Sequence, residues 1–150
     1  QNQLSSGYQL NQSLIAIGSG GMFGRGFGQS VQKFSFLPEP IGDSIFAVMA
    51  EEFGFVGSIG LIFLYLFFAF RGLRIAMNSS DTFGGLLAFG IVILIVTQSF
   101  FNIGAMLGIL PLSGIPLLFV SHGGTALFIT LAEAGIVLNI SRFQSNKRLV

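Results

Sequence analysis

Between Thr82 and Ala132 the chain carries no Asp, Glu, Lys or Arg. A soluble domain, with about a quarter of its residues charged, does not produce such a gap. This chain is 9% charged and 52% hydrophobic, with 18 Phe, so lipid is the solvent its surface suits. The charge-free run is too long for one span, and "LGILPLSGIP", with Pro111 and Pro116, divides it. A second apolar stretch, Phe53 to Phe70, gives eighteen uncharged residues followed at once by "RGLR". At 1.5 Å per residue that is about 27 Å, close to the roughly 30 Å of a hydrocarbon core.

The expected class is an all-α integral membrane protein. Residues 1–43 are expected to form an extracellular Gly-rich loop, with spans over 44–70, 82–101 and 118–140. Residues 71–81 then form a cytoplasmic loop, 102–117 an extracellular loop and 141–150 a cytoplasmic tail. Asp43 or Ser44 suits the start of the first span, since both are good N-cap types. The positive-inside rule agrees with this order. Arg71 and Arg74 fall on one side with Arg142, Lys147 and Arg148, which makes five of the seven cationic residues.

Other classes are excluded. A net charge of +1 with no basic run gives nothing for nucleic acid to bind. The absence of Cys removes disulfides and thiolate chemistry, and a single His cannot build a multi-His metal site. No cleavable targeting segment is visible. A chain opening at Gln1 reads as part of a longer protein.

Chemistry is expected in the segment Gly18–Asp43. Six of the eleven residues from Gly18 to Gly28 are Gly, so the backbone there is irregular. It fits neither nucleotide motif. Phe23, Gln29 or Val31 stands where G-x-G-x-x-G needs its last Gly, and no Gly-Lys-Ser/Thr follows. The plain reading is a flexible external loop. Against it, Arg25 and Lys33 lie outside, contrary to the usual bias. Gly-rich amides such as those of Gly20, Gly21 and Gly24 can form an anion nest. Glu39 and Asp43 follow at the membrane surface. Cations and amides beside a carboxylate suit an anionic leaving group next to a general base. A lipid head group bearing phosphate or pyrophosphate is the candidate ligand.

Further polar residues draw attention. Glu51 and Glu52 lie about 12–13 Å deeper than Asp43 on a helix, where acids face protein or water and find partners. Ser121 and His122 are adjacent, which alone makes no triad, and packing is the default role for a single His. Glu133 falls near mid-membrane, with Gln98 and Asn102 as polar neighbours; a structural role suits it. The Phe-rich faces at Phe63, Phe67, Phe68 and Phe70 read as lipid-facing or packing surface.

The stretch "YQLNQSLIAIGSGGMFGRGFGQSVQKFSFLPEPIGDSIFAVMAEEFGFVG" resembles the large extracellular loop of the SEDS family, the FtsW/RodA/SpoVE group. "NIGAMLGILPLSGIPLLFVSHGGTALFITLAEAGIVLNISR" is similar to that family's C-terminal signature. The resemblance runs from Tyr8 to Arg142, and "GQSVQK" and "FAVMAEE" are closer to the division branch, FtsW, than to the elongation branch, RodA. It implies a bundle of about ten helices with both ends cytoplasmic, of which this chain supplies the last large loop and three final helices. It implies a peptidoglycan glycosyltransferase that polymerises lipid II in the bacterial cytoplasmic membrane at the division septum. The implied partners are a class B penicillin-binding protein and other divisome proteins. A lipid II flippase and a non-catalytic divisome scaffold are the alternatives.

The family's essential acid closes a Leu-Pro-Glu-x-His-x-Asp pattern. Here that pattern reads Leu37 to Asp43, so Asp43 inherits the role of general base. Arg25, Lys33 and the glycine amides would bind the pyrophosphate, with room for a divalent cation, Mg or Mn, and Glu39 could tune Asp43. Ile41 stands where the family has His, Ser44 where it has Phe, and His122 where it has Tyr in Ser-Tyr-Gly-Gly.

Overall fold

A computed structural model describes residues 2–26, 28, 44–112 and 114–143, and their regular structure is α-helical. Helix α1 spans Asn2–Ser19, α2 spans Ile45–Met77, α3 spans Thr82–Met106 and α4 spans Gly124–Arg142. The last three are long and apolar enough to cross a membrane.

The helix ends differ from those expected, for physical reasons. Charge predicts an end for α2 at Phe70, yet the helix runs on to Met77. Arg is a good helix former, and its long side chain lets the charge leave the apolar layer while the backbone stays helical. Arg74 lies over the Phe70 ring at 4.9 Å, a cation–π contact one turn back. Only a tight turn separates α2 from α3, and Asp81 caps α3 by accepting the Gly84 amide at 3.1 Å. Helix α3 continues to Met106 rather than stopping at 101, because the first residue needing positive φ is Gly108 at +74°.

A helix also stands where a loop is expected. Ser13 and Ala16 lie on one face of α1, Gly20 follows directly after its end, and all three are buried. Small side chains let that face approach its neighbours closely, as they do between membrane helices. The Ser13 hydroxyl donates to Gln9 O at 2.9 Å and lies 3.4 Å from Met106 Sδ of α3. Gln9 Nε2 donates to the Ser44 hydroxyl at 3.1 Å, where α2 begins.

Two apolar clusters hold α2, α3 and α4 together. One gathers Phe46, Leu61, Tyr65, Ile103, Met106 and Leu117. The other gathers Ala88, Ile91, Val92, Ile95, Leu118 and Val137. Gly72 of α2 lets Val92 of α3 sit so close that a Cβ there would meet it at 2.4 Å. Phe63, Phe67 and Phe70 stay exposed, the arrangement lipid requires.

The link between α3 and α4 does not stay at the surface. Helix α4 begins at Gly124, six residues later than expected, because residues 117–120 turn inside the bundle. Leu117 and Leu118 supply one residue to each cluster. The amides of Val120 and Ser121 both donate to Leu117 O, at 3.3 and 2.8 Å. The Tyr65 hydroxyl donates to the Leu118 carbonyl. Such a turn at membrane depth is tolerated only where protein satisfies its polar groups. Phe119, at φ 66°, holds a backbone state rare for a large side chain, and its ring meets Phe68 edge-on at 6.0 Å.

The Tyr65 hydroxyl is therefore a structural tie. Tyr65→Phe in the full-length protein should cost about 1–2 kcal/mol by orphaning the Leu118 carbonyl. Tyr8→Phe, at an exposed ring, should cost nothing measurable. Thermal unfolding in detergent compares the two.

Candidate functional site

Helix α2 is interrupted at Gly54, whose φ of 68° and ψ of −164° are open essentially to glycine alone. In an unbroken helix the amides of Phe55 and Val56 would bond to the carbonyls of Glu51 and Glu52. Here the Phe55 amide donates to Gly21 O at 2.9 Å and the Val56 amide to Met22 O at 3.2 Å. In return, the Glu51 carbonyl accepts from the Arg25 amide at 2.9 Å and the Glu52 carbonyl from the Gly26 amide at 3.1 Å. The Gly-rich turn thus enters the break and takes over four hydrogen-bonding groups. Each would be costly to leave bare at this depth.

The glycines make that fit possible. A Cβ on Gly20 would lie 2.1 Å from Ala50 O, and one on Gly24 2.1 Å from Glu52 O. A Cβ on Gly54 would lie 2.3 Å from the Gly24 amide nitrogen. Gly24 also needs its positive φ of 79°. The Gly20 amide donates to Ala16 O and the Gly24 amide to Gly20 O. The sequence assigns these amides to an anion nest; in this arrangement both are committed within the chain. Gly20 and Gly24 serve close approach, and Gly21 serves a turn at φ 56° while lending its carbonyl to Phe55.

Arg25 leaves this crossing toward the surface. Its Nη1 lies 3.8 Å from Glu51 Oε1, and its Nε donates to Ser19 O at 3.4 Å. The Arg25 side chain is 45% exposed while that of Glu51 is 1% exposed, so one face of the guanidinium remains open. Arg25 is thus one partner of Glu51 within the same chain. Glu52 is buried as well, and among the described residues its Oε1 accepts no hydrogen bond. An apolar groove of about 510 Å³ borders the crossing, lined among others by Ile17, Met22, Phe46, Phe55, Ile59 and Ile62.

Asp43, Glu39 and Lys33 lie outside the described residues. Asp43 directly precedes Ser44, which is fully buried at the start of α2. Ser121 is buried just after the turn tied to Tyr65, and His122 is exposed. Tyr65 is eleven residues after Gly54, about 16 Å along α2, so that turn and the crossing are separate features. Asn102 Nδ2 donates to Ile115 O at 2.7 Å, holding the α3–α4 link. Among the described residues no three of His, Asp and Glu gather as a metal ion requires.

Gly54 and Gln9 escape sequence reasoning. Gly54 stands in "FGFVGSIG" beside Gly57 and Gly60, and nothing in that string marks which glycine breaks the helix. Gln9 looks like one more polar residue of a loop.

Comparison with known proteins places the chain. The FtsW/RodA/SpoVE family, described as cell cycle protein, matches residues 1–146. Stage V sporulation protein E of Bacillus subtilis (strain 168) is 46% identical over 143 residues, covering 95% of this chain and 39% of that protein. The probable peptidoglycan glycosyltransferase FtsW of the same organism is 48% identical over 139 residues, covering 93% of this chain and 34% of its own length. Among solved structures, a chain from a peptidoglycan synthase complex that coordinates polymerization and crosslinking superposes with a TM-score of 0.71. It is 29% identical, over 88% of this chain and 36% of that one. The rod shape determining protein RodA of Thermus thermophilus gives a TM-score of 0.66 at 32% identity, over 92% of this chain and 41% of its own. The chain thus spans between 34% and 41% of the length of these relatives.

The crossing makes a sharp distinction among glycines. Gly24→Ala and Gly54→Ala should each destabilise the full-length protein, by about 1–3 kcal/mol from strain at positive φ and further through the close backbone contacts a Cβ would meet. Gly60→Ala, in open helical space, should be neutral or slightly stabilising. Unfolding midpoints in one detergent report the difference.

Proposed function

This chain belongs to the FtsW/RodA/SpoVE family of cell cycle proteins, and from that premise we propose that it forms part of a peptidoglycan glycosyltransferase. In this reading the enzyme polymerises lipid II into glycan strands during septal wall synthesis. Relatives carrying the name probable peptidoglycan glycosyltransferase support the reaction class. The observation that carries the reading is the crossing itself. It sets a half-open guanidinium, Arg25, beside an apolar groove at the end of α2 that Asp43 leads into. A cation for a diphosphate next to a channel for a hydrocarbon chain is what a lipid-linked sugar donor asks of a protein.

The proposed chemistry is one inverting displacement. The 4-hydroxyl of the acceptor sugar attacks C1 of the donor's muramyl sugar, and the bond from C1 to the pyrophosphate oxygen breaks. Asp43 takes the hydroxyl proton, and undecaprenyl pyrophosphate departs with the bonding electron pair. Arg25 and Lys33 balance the growing negative charge on the leaving group. The Gly20 and Gly24 amides have no part in this scheme, being bonded elsewhere. Glu51 gives Arg25 a fixed anchor, so the guanidinium meets the pyrophosphate already oriented. The partner is a class B penicillin-binding protein, a reading supported by the synthase complex that this fold resembles.

A positioned general base contributes about 10²–10⁴ in rate. Asp43→Asn in the purified full-length protein should lower glycan synthesis from lipid II by at least ~100-fold, while leaving membrane insertion intact. Arg25→Ala and Lys33→Ala should reduce turnover at saturating acceptor. Gel separation of glycan chains made in detergent reads all three. Polymer made by Asp43→Asn at the wild-type rate would rule out this base. A wild-type protein making none in detergent would return the flippase and scaffold readings to the front.

A further inference from the structure

A second groove lies far from the crossing, between α2 and α4. It encloses about 670 Å³, and Phe67, Phe68, Arg71, Phe119, Ala134 and Leu138 are among its lining residues. The Phe68–Phe119 edge-to-face pair closes its deep end. From Phe68 to Ile75 it follows α2 for about 10 Å toward the helix end. Apart from Arg71 and Ser141, whose hydroxyl donates to Leu138 O at 2.6 Å, its side chains are apolar, and no acidic side chain lines it among the described residues.

Arg71 is the cation of this groove. It is exposed, and among the described residues the ion pair formed is Arg25–Glu51, which leaves Arg71 unmatched. Arg74, one turn away, is engaged over Phe70. Asp81 is an acid at this end of the bundle, but its carboxylate caps α3 through Gly84. Arg142 ends α4 at the same level, because the Ser80 hydroxyl of the α2–α3 turn donates to Phe143 O at 2.6 Å. The positive-inside rule puts this arginine-bearing end at the cytoplasmic leaflet, whose surface is negative.

We propose that the α2–α4 groove is a binding site for an anionic glycerophospholipid. An acyl chain lies against Phe67, Phe68 and Phe119, and the phosphate pairs with Arg71. Charge complementarity selects the occupant. A zwitterionic lipid fills the same apolar space but brings its own cation to a site that already has one. The site is distinct from the proposed donor site. It lies toward the other end of α2 and involves neither Arg25 nor the acids.

Native mass spectrometry tests this on the full-length protein, released from bilayers of equal phosphatidylglycerol and phosphatidylcholine with matched chains. The wild type should retain phosphatidylglycerol preferentially. Arg71→Gln should lower the retained ratio roughly fivefold, the effect of one basic residue at a membrane surface. Arg71→Lys should keep the preference, and Arg142→Gln, outside the groove, should leave it unchanged. Equal retention of both lipids, or an equal drop for Arg71→Gln and Arg142→Gln, would overturn the site in favour of diffuse surface attraction. Retention of no lipid would mean another part of the protein fills the groove, and displacement by a polyprenyl diphosphate would make it a substrate site. Both results contradict the proposal. The measurement involves no glycan synthesis, so its outcome is independent of the proposed reaction.

Discussion

Four main-chain hydrogen bonds between the Gly-rich turn and the break at Gly54 organise one end of this molecule. A membrane helix cannot be interrupted without a replacement for the groups it releases. The turn is that replacement. The rest follows from the close approach it demands. Gly20 and Gly24 must lack side chains because the carbonyls of Ala50 and Glu52 occupy that space. Helix α1 must carry small residues on the face that delivers the turn. Arg25, emerging directly after, is fixed in position by its own amide before its side chain makes any contact.

The same rule explains the other irregular segment. Residues 117–120 enter the bundle and would leave carbonyls bare, and Tyr65 and Asn102 reach across to Leu118 and Ile115. In one case backbone satisfies backbone, and in the other side chains do so. The difference matters for what each can support. The first asks nothing of the side chains of Glu51 and Glu52, and Glu51 lies beside Arg25. The second spends its polar side chains on holding the fold.

The three long helices were legible because lipid imposes a simple rule on composition, and the charge-free run after Thr82 obeys it. Their ends were less legible. Arg71 and Arg74 look like a boundary, yet a long side chain can carry its charge out of the apolar layer without ending a helix. Helix α1 was invisible because its buried face is made of Ser13 and Ala16 and leads into Gly20, small residues that no hydrophobic pattern reveals. The glycine run was correctly read as irregular backbone. Its purpose was not legible, since an amide nest and a close contact use the same residue, and only the atoms opposite distinguish them. The residues alone offered Glu39 and Asp43 together as the carboxylate beside the cations; the choice of Asp43 came from the resemblance to the FtsW/RodA/SpoVE family.

The crossing is built from main chain, and outside the glycines that allow the close approach it makes no use of side chains. Met22 and Phe23, at the tip of the turn, are 62% and 84% exposed. Their bodies play no part in the joint, although the Met22 carbonyl does. Substitutions at the tip can therefore reshape the groove wall that Met22 lines while the glycines behind it stay fixed. Fold and taste are stored in separate letters of the same short word.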